Sequence, residues 1–269
     1  MIYDCFSYWD EDLLLDLRLN ILNKFVDYFV IVEGNKTWQN NPKKLRFDIK
    51  KFSNFKKKII YIPLRNMPDG DDPYKRENFQ RNSISEGIST ANDNDLVIVS
   101  DLDEIPNPET ILKFNPQNRY AVFKQKHFYY KLNLQSEKNP HWLGSRICVK
   151  KYLNSPQWLR ELKFKKRPFW RIDKMRLNNI LEEGGWHFCN LKSPENLLYK
   201  YKNLCETNDP VNFKEKIDEK HLNLNEIKKK IENQIDIIGR NDSFTKVALN
   251  ENFPEYLLNN KEFYEEWLI

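Results

Sequence analysis

The chain has 269 residues, 40% of them hydrophobic and 14% aromatic, which is enough for one large core, and it holds no apolar run of about 18 residues to cross a membrane. A net charge of +5, from 44 basic and 39 acidic residues, is milder than the dense basic face of a nucleic-acid binder. Seven glycines, with neither G-x-x-x-x-G-K nor G-x-G-x-x-G, exclude a glycine-rich phosphate loop, so a bound nucleotide must be held by side chains and metal. Basic clusters at residues 43–44, 56–58, 163–167 and 228–230 read as solvated faces, compatible with an anionic substrate or a peripheral membrane contact. Cys5, Cys148, Cys189 and Cys205 form no C-x-x-C pair, which argues against a zinc cluster and for a reducing compartment. No signal peptide precedes Tyr3, so the expectation is a soluble, cytoplasmic protein.

Residues 2–9 read as a strand. Asp10, Glu11 and Asp12 then suit a helix N-terminus, and Leu14, Leu17, Ile21, Leu22 and Phe25 give a helix to about residue 24. Residues 27–33 form a second strand ending in Glu33, which completes a β-α-β unit with parallel strands. A third strand spans 58–63 and a polar loop 64–75. A helix over 77–90 follows, with Phe79, Ile84 and Ile88 inward and Arg76 and Arg81 near its start.

Leu96, Val97, Ile98 and Val99 are apolar without alternation, the pattern of a short strand buried on both faces of a parallel sheet. That strand runs into Asp101, Asp103 and Glu104, and Pro106 closes it. Carboxylates there are costly unless something positive sits among them, and strand ends are where open α/β sheets bind ligands. Two readings stand: an acidic turn capping a helix near Pro108, or a divalent metal on Asp101 and Asp103 with a phosphorylated ligand beyond it.

Residues 120–133 and 143–152 read as aromatic strands, 156–163 as a short helix and 169–173 as a strand. Glu182 to Cys189 forms a Gly-Gly turn leading into a strand that contains His187. These strands are expected to be antiparallel and to extend the sheet over its ligand edge. His187 is either a core histidine or a third metal ligand. Helices are expected at 194–204, over 213–238 and from Pro254. With no repeat and no Gly/Ser linker, residues 1–269 read as a single domain: a nucleotide-sugar-binding half (1–106), acceptor-side strands (107–192) and C-terminal helices (193–269). The fold class is α/β, a Rossmann-like mixed sheet flanked by helices, with a helical C-terminal portion.

Seven blocks in order resemble glycosyltransferase family 17. They are Tyr3-Asp-Cys-Phe6, Leu14-Leu-Asp-Leu-Arg18, Val26-Asp-Tyr-Phe-Val-Ile-Val-Glu33, Val97-Ile-Val-Ser-Asp-Leu-Asp-Glu-Ile-Pro106, Phe128-Tyr-Tyr130, Gly185-Trp-His-Phe188 and Pro254-Glu-Tyr-Leu-Leu258. The resemblance implies a GT-A-type fold and an inverting transfer, dependent on Mn²⁺ or Mg²⁺, of N-acetylglucosamine from UDP-GlcNAc to a glycan, glycolipid or glycoprotein. It implies Asp101 and Asp103 as the metal and diphosphate motif, Glu33 near the uridine or ribose, Arg81 near the phosphates or bracing the acidic motif, and His187 completing the metal site. The chain departs from the family at Cys189, where Ser is usual, and at Cys205-Glu-Thr-Asn208, where a His and a Glu are usual. These departures bear on the acceptor more than on the donor.

Inversion needs a base, for which Glu104, Glu182 and Glu183 are candidates and Glu104, in the acidic loop, is preferred. Trp186 and Tyr130, with Phe188 and Tyr129, are candidates for an acceptor platform. The alternatives are a haloacid-dehalogenase-like phosphatase using Asp101 and Asp103, or a non-catalytic glycan-binding module. Glu104-Ile-Pro106 and the lack of a later Gly-Asp argue against the phosphatase.

Overall fold

The computed structural model describes residues 1–163, 179–205, 222–238 and 241–269. The expected strand at 169–173 and the start of the helical stretch from 213 lie outside the described residues. The β-α-β unit forms as the sequence predicts: β1 (Ile2–Tyr8), α1 (Asp12–Leu22) and β2 (Tyr28–Gly34), with β1 and β2 parallel. β3 (Ile59–Leu64) extends the sheet beyond β2. After α2 (Pro73–Asn82) and α3 (Ile84–Gly87), the chain returns to β4 (Leu96–Asp101) on the other side of β1. These four strands are parallel. The sheet becomes mixed at β8 (His141–Val149), which runs antiparallel to β4.

Beyond β4 lie β5 (Glu104–Pro106), α4 (Pro108–Leu112), β6 (Tyr120–Tyr129), β7 (Leu134–Ser136), β8, α5 (Pro156–Glu161), β9 (Ile180–Leu181) and β10 (Gly185–Cys189). The described chain closes with α6 (Pro194–Asn203), α7 (Leu224–Glu232), β11 (Phe244–Lys246), α8 (Glu255–Asn259) and a 3₁₀ segment (Lys261–Trp267). One path through the sheet runs β11-β7-β6-β8-β4-β1-β2-β3. The expected antiparallel setting of the late strands holds only in part, because β10 runs parallel to β6 and antiparallel to β5.

The unbroken apolar runs follow from a core on each face. Phe6, Leu15, Phe29, Ile31 and Ile98 pack on the α1 side, whereas Cys5, Val30, Val32, Val97 and Val99 pack with Ile84 and Leu159 on the other. A period of two sends alternate residues of one strand into opposite cores, so both sets must be apolar. The C-terminal segment covers α1 in turn: α8 packs on it, and Tyr264 donates to Asp16 at 3.3 Å. A third cluster, with Tyr129, Tyr130, Leu197, Tyr201, Ile227 and Phe244, joins α6 and α7 to the far end of the sheet.

The helix expected over 77–90 starts earlier and is split. Asp72 accepts from the Tyr74 N–H at 2.9 Å and Pro73 occupies the first turn, so α2 begins there and stops at Ser83. Phe79 is 40% exposed rather than inward; the buried face of α2 is polar, made of Arg76, Gln80 and Arg81. The four cysteines are free, and among the described residues no helix is long and apolar enough to cross a membrane.

Candidate functional site

Register fixes where the acidic loop sits. Ser7 of β1 pairs with Asp101 of β4, and Tyr8 with Glu33 of β2, so these strands end at one edge. The chain leaves β4 at Asp101, turns through Leu102 and Asp103, and enters β5 at Glu104. A cleft of about 260 Å³ opens at this edge; its lining includes Trp9, Glu77, Asp101, Asp103, His187 and Lys200.

The loop is held from beneath by Arg18, a residue the sequence reading passed over. Its side chain is fully buried and grips Asp4 through Nε (2.8 Å) and Nη2 (2.6 Å), while Nη2 also donates to Ser100 Oγ at 3.0 Å. Its Nη1 donates to the carbonyls of Asp101 (3.1 Å), Leu102 (3.1 Å) and Glu104 (2.7 Å). One guanidinium thus serves three main-chain acceptors across the turn between β4 and β5. A signal was available: Arg18 lies four residues from both Leu14 and Leu22, inside the apolar stripe of α1, and Asp4 interrupts an apolar strand.

A second missed residue, Arg160 of α5, joins the ends of the loop. Its Nη2 lies 2.8 Å from Asp101 Oδ2 and 3.0 Å from Glu104 Oε1, and its Nη1 lies 2.6 Å from Glu104 Oε2. Arg81 of α2 reaches Asp101 Oδ1 at 3.2 Å and Glu77 at 2.7 Å. Burial pushes the Asp101 carboxyl up, but Arg160 and Arg81 outweigh it and hold it well below the usual carboxylate range. Asp103 lies 3.5 Å from His187 Nε2. Burial raises the Asp103 carboxyl and the imidazolium beside it brings it below its ordinary value. For His187, burial acts downward, and Asp103 more than reverses this, holding it well above an ordinary histidine.

The structure therefore brings together Asp101, Asp103, Glu104, Arg81 and His187. It gives His187 a different position from that of a free third ligand, since Nε2 is turned to the Asp103 carboxylate. Glu104 also borders the cleft, within a buried network. That side chain is 1% exposed, and its oxygens accept from Arg160, from Trp142 Nε1 (2.8 Å) and from the Asp101 N–H (3.2 Å). A carboxylate pinned by a guanidinium and an indole is a brace for the loop.

Three expected site residues lie elsewhere. Glu33 is fully buried, and its carboxylate accepts from Lys43 Nζ (2.5 Å), Tyr61 OH (2.9 Å) and the N–H groups of Arg46 (2.7 Å) and Phe47 (3.0 Å). It ties down the segment after β2 instead of facing a donor. Trp186 is 6% exposed and donates from Nε1 to the Asn252 carbonyl at 2.9 Å. Strand alternation puts His187 and Cys189 in the cleft lining and Trp186 and Phe188 in the core behind it. Tyr130 is 2% exposed, donates to the Ile235 carbonyl at 2.9 Å and packs on Phe244. Glu182 pairs with Lys124 at 2.9 Å, and Glu183 lines a separate cavity.

The aromatics that line the cleft include Trp9, Trp38, Trp142, Tyr199 and, of the expected platform, Tyr129. Trp9 makes edge contacts with Trp38 (5.7 Å) and Tyr199 (6.2 Å), and Trp142 is 42% exposed. Lys192 pairs with Asp10 and, at 3.1 Å, with Glu11 on the same lining.

The profile of glycosyltransferase family 17 matches residues 1–265. The chain belongs to this family. Among curated proteins it is similar to the β-1,4-mannosyl-glycoprotein 4-β-N-acetylglucosaminyltransferases of Homo sapiens, Rattus norvegicus and Mus musculus, at 24% identity over 212 residues in each case. The match takes in 70% of this chain and 40% of the human protein, or 39% of each rodent protein, so it spans well under half of those relatives. Among solved structures, one titled 4-diphosphocytidyl-2C-methyl-D-erythritol synthase aligns with a TM-score of 0.40 and 12% identity, over 74% of this chain and 96% of that one. In this family 17 chain, the sequence blocks that carried the resemblance fall on β1, α1, β2, the acidic loop, the end of β6, β10 and α8.

Proposed function

We propose that this chain transfers N-acetylglucosamine from UDP-GlcNAc, with inversion, to a hydroxyl of a glycan carried on a polysaccharide, lipid or protein. The observation that carries the reading is the meeting of Asp101 and Asp103 in one cleft at the strand ends, on a turn locked by Arg18. Their oxygen donors fit a hard divalent cation, Mn²⁺ or Mg²⁺. When bound, such a cation supplies charge stabilisation to a departing diphosphate. Arg81 and Arg160 keep Asp101 ionised and oriented, and His187 does the same for Asp103. Trp9, Trp38 and Tyr199 offer flat apolar faces for a base or sugar ring, and Lys200 offers positive charge to phosphate.

A phosphatase reading would use Asp101 and Asp103 as nucleophile and acid, and the sequence lacks the later Gly-Asp motif such enzymes carry. The deciding experiment incubates the chain with UDP-GlcNAc and a panel of glycan acceptors, with Mn²⁺ or with chelator. Transfer or donor hydrolysis should require the cation and vanish in Asp103→Asn. Release of phosphate from a simple ester without UDP-sugar turnover would favour the phosphatase. Chelator-indifferent glycan binding without turnover would favour a binding module.

A further inference from the structure

Behind the aspartates, the floor of the cleft holds three side chains with another chemistry: His127 on β6, and His187 and Cys189 on β10. The two strands run parallel in a register that sets His127 beside His187 and Tyr129 beside Cys189. The imidazole rings stack at 4.7 Å with 2° between their planes, close to the spacing of neighbouring strands. One ligand atom from each of His127, His187 and Cys189 lies within 4.8 Å of the other two.

The outer nitrogens of both rings are oriented by other groups. His127 Nδ1 lies 3.1 Å from the Asn139 carbonyl. A carbonyl oxygen can only accept, so Nδ1 carries a proton and Nε2 is the ligand atom this ring can offer. His187 Nε2 faces Asp103, and the ring also interacts with the Cys189 side chain. A histidine backed by a carboxylate on one nitrogen and offering the other inward is the usual outer-shell arrangement of a metal-binding imidazole.

We propose that His127, His187 and Cys189 form a second cation site, for a borderline-soft divalent ion such as zinc. Two imidazoles and a thiolate suit zinc, whereas Mn²⁺ and Mg²⁺ prefer the oxygens of Asp101 and Asp103, so the two sites differ in ligand softness. Bonds of about 2.0–2.3 Å in a tetrahedral set put ligand atoms roughly 3.5 Å apart. The side chains therefore draw together by about 1 Å as the ion enters, and the rings turn out of their parallel stack. Three protein ligands leave one position for water or a substrate oxygen, as in catalytic zinc sites. Loading would release to solvent the Nδ1 proton of His187 and the Cys189 thiol proton, leaving Nε2–H donating to Asp103 and setting the orientation of that carboxylate. The proposal does not depend on the identity of the sugar donor.

The test is a titration of the chelator-stripped full chain with Co²⁺, which reports thiolate ligation by its absorption spectrum. Expected are one tightly bound equivalent with the intense visible bands of a tetrahedral centre and a near-ultraviolet thiolate-to-cobalt band, both displaced by Zn²⁺. The thiolate band should vanish in Cys189→Ser and persist in Cys205→Ser and Asp101→Asn, and His127→Ala should weaken affinity by about tenfold or more. A weak octahedral spectrum, a thiolate band that survives Cys189→Ser, or an affinity unmoved by His127→Ala would overturn the proposal. Circular dichroism of each variant establishes that it is folded before its spectrum is compared.

Discussion

Arg18 and Asp4 form a bidentate ion pair, 2.6 and 2.8 Å, with neither side chain exposed to solvent. The pair lies directly beneath the acidic turn, and the third guanidinium nitrogen, Nη1, holds that turn's carbonyls. Removing one partner leaves the other charge buried and the turn unbraced. Arg18→Met should therefore cost about 3–5 kcal/mol in urea unfolding. The double variant Asp4→Asn/Arg18→Met should recover part of that loss, because the stranded carboxylate is gone. Equal losses in the single and double variants would show that the cost comes from the carbonyls alone.

Glu104 and Asp103 should separate in kinetics. Asp103→Asn removes an oxygen ligand proposed for the cation, and transfer should fall by at least about 100-fold, well beyond what the fall in melting temperature from losing the His187 pair would explain. Glu104→Gln should instead lower stability by about 3 kcal/mol, since it strips the buried Arg160 of a partner. Its residual transfer should keep the pH profile of the parent. Loss of one limb of that profile would restore Glu104 as the proton acceptor.

The pH dependence of the chelator-treated chain follows from opposite shifts. Asp101 and Asp103 have depressed pKa values, so the stability they contribute is present above their unfolded pKa and is lost as pH falls through the folded values. His187 is raised, so its contribution is present below its unfolded pKa and is lost as pH rises through the folded value. Melting temperature should therefore decline on both the acid side and the alkaline side. His187→Gln should flatten the alkaline decline and reduce the acid one to the part that Asp101 contributes, as differential scanning fluorimetry across a pH series would record.

Gly185 starts β10 at φ +121°, and a Cβ there would stand 2.2 Å from the Ile105 carbonyl and 2.6 Å from the Asn107 nitrogen. Both obstacles are backbone, so neither can swing aside. Gly185→Ala should cost at least about 2 kcal/mol and pull His187 away from Asp103. Gly70 also has positive φ but has open space around its Cβ position, so Gly70→Ala should cost less in the same unfolding assay.

The order of strands and helices through β4, the two-sided burial of Leu96–Asp101 and the acidic strand end were all readable in the sequence. Each depends on neighbours in the chain: unbroken apolar runs, a helical stripe, acids before a proline. Ordered motifs did the same for family membership. What the sequence did not decide is which carboxylates face the cleft. Glu33 and Asp101 lie at one edge on parallel strands that flank β1, yet Glu33 is consumed by Lys43, Tyr61 and two main-chain N–H groups, while Asp101 reaches the cleft. Trp186 and His187 are consecutive, and the pleat sends one to the core and the other to the site. Arg160 is far from Asp101 in sequence, and only the docking of α5 beside β4 brings it within 2.8 Å. Local pattern fixes which segments are buried, but the partner of each buried charge is chosen by long-range packing, where every ion must find a counter-ion or stay outside.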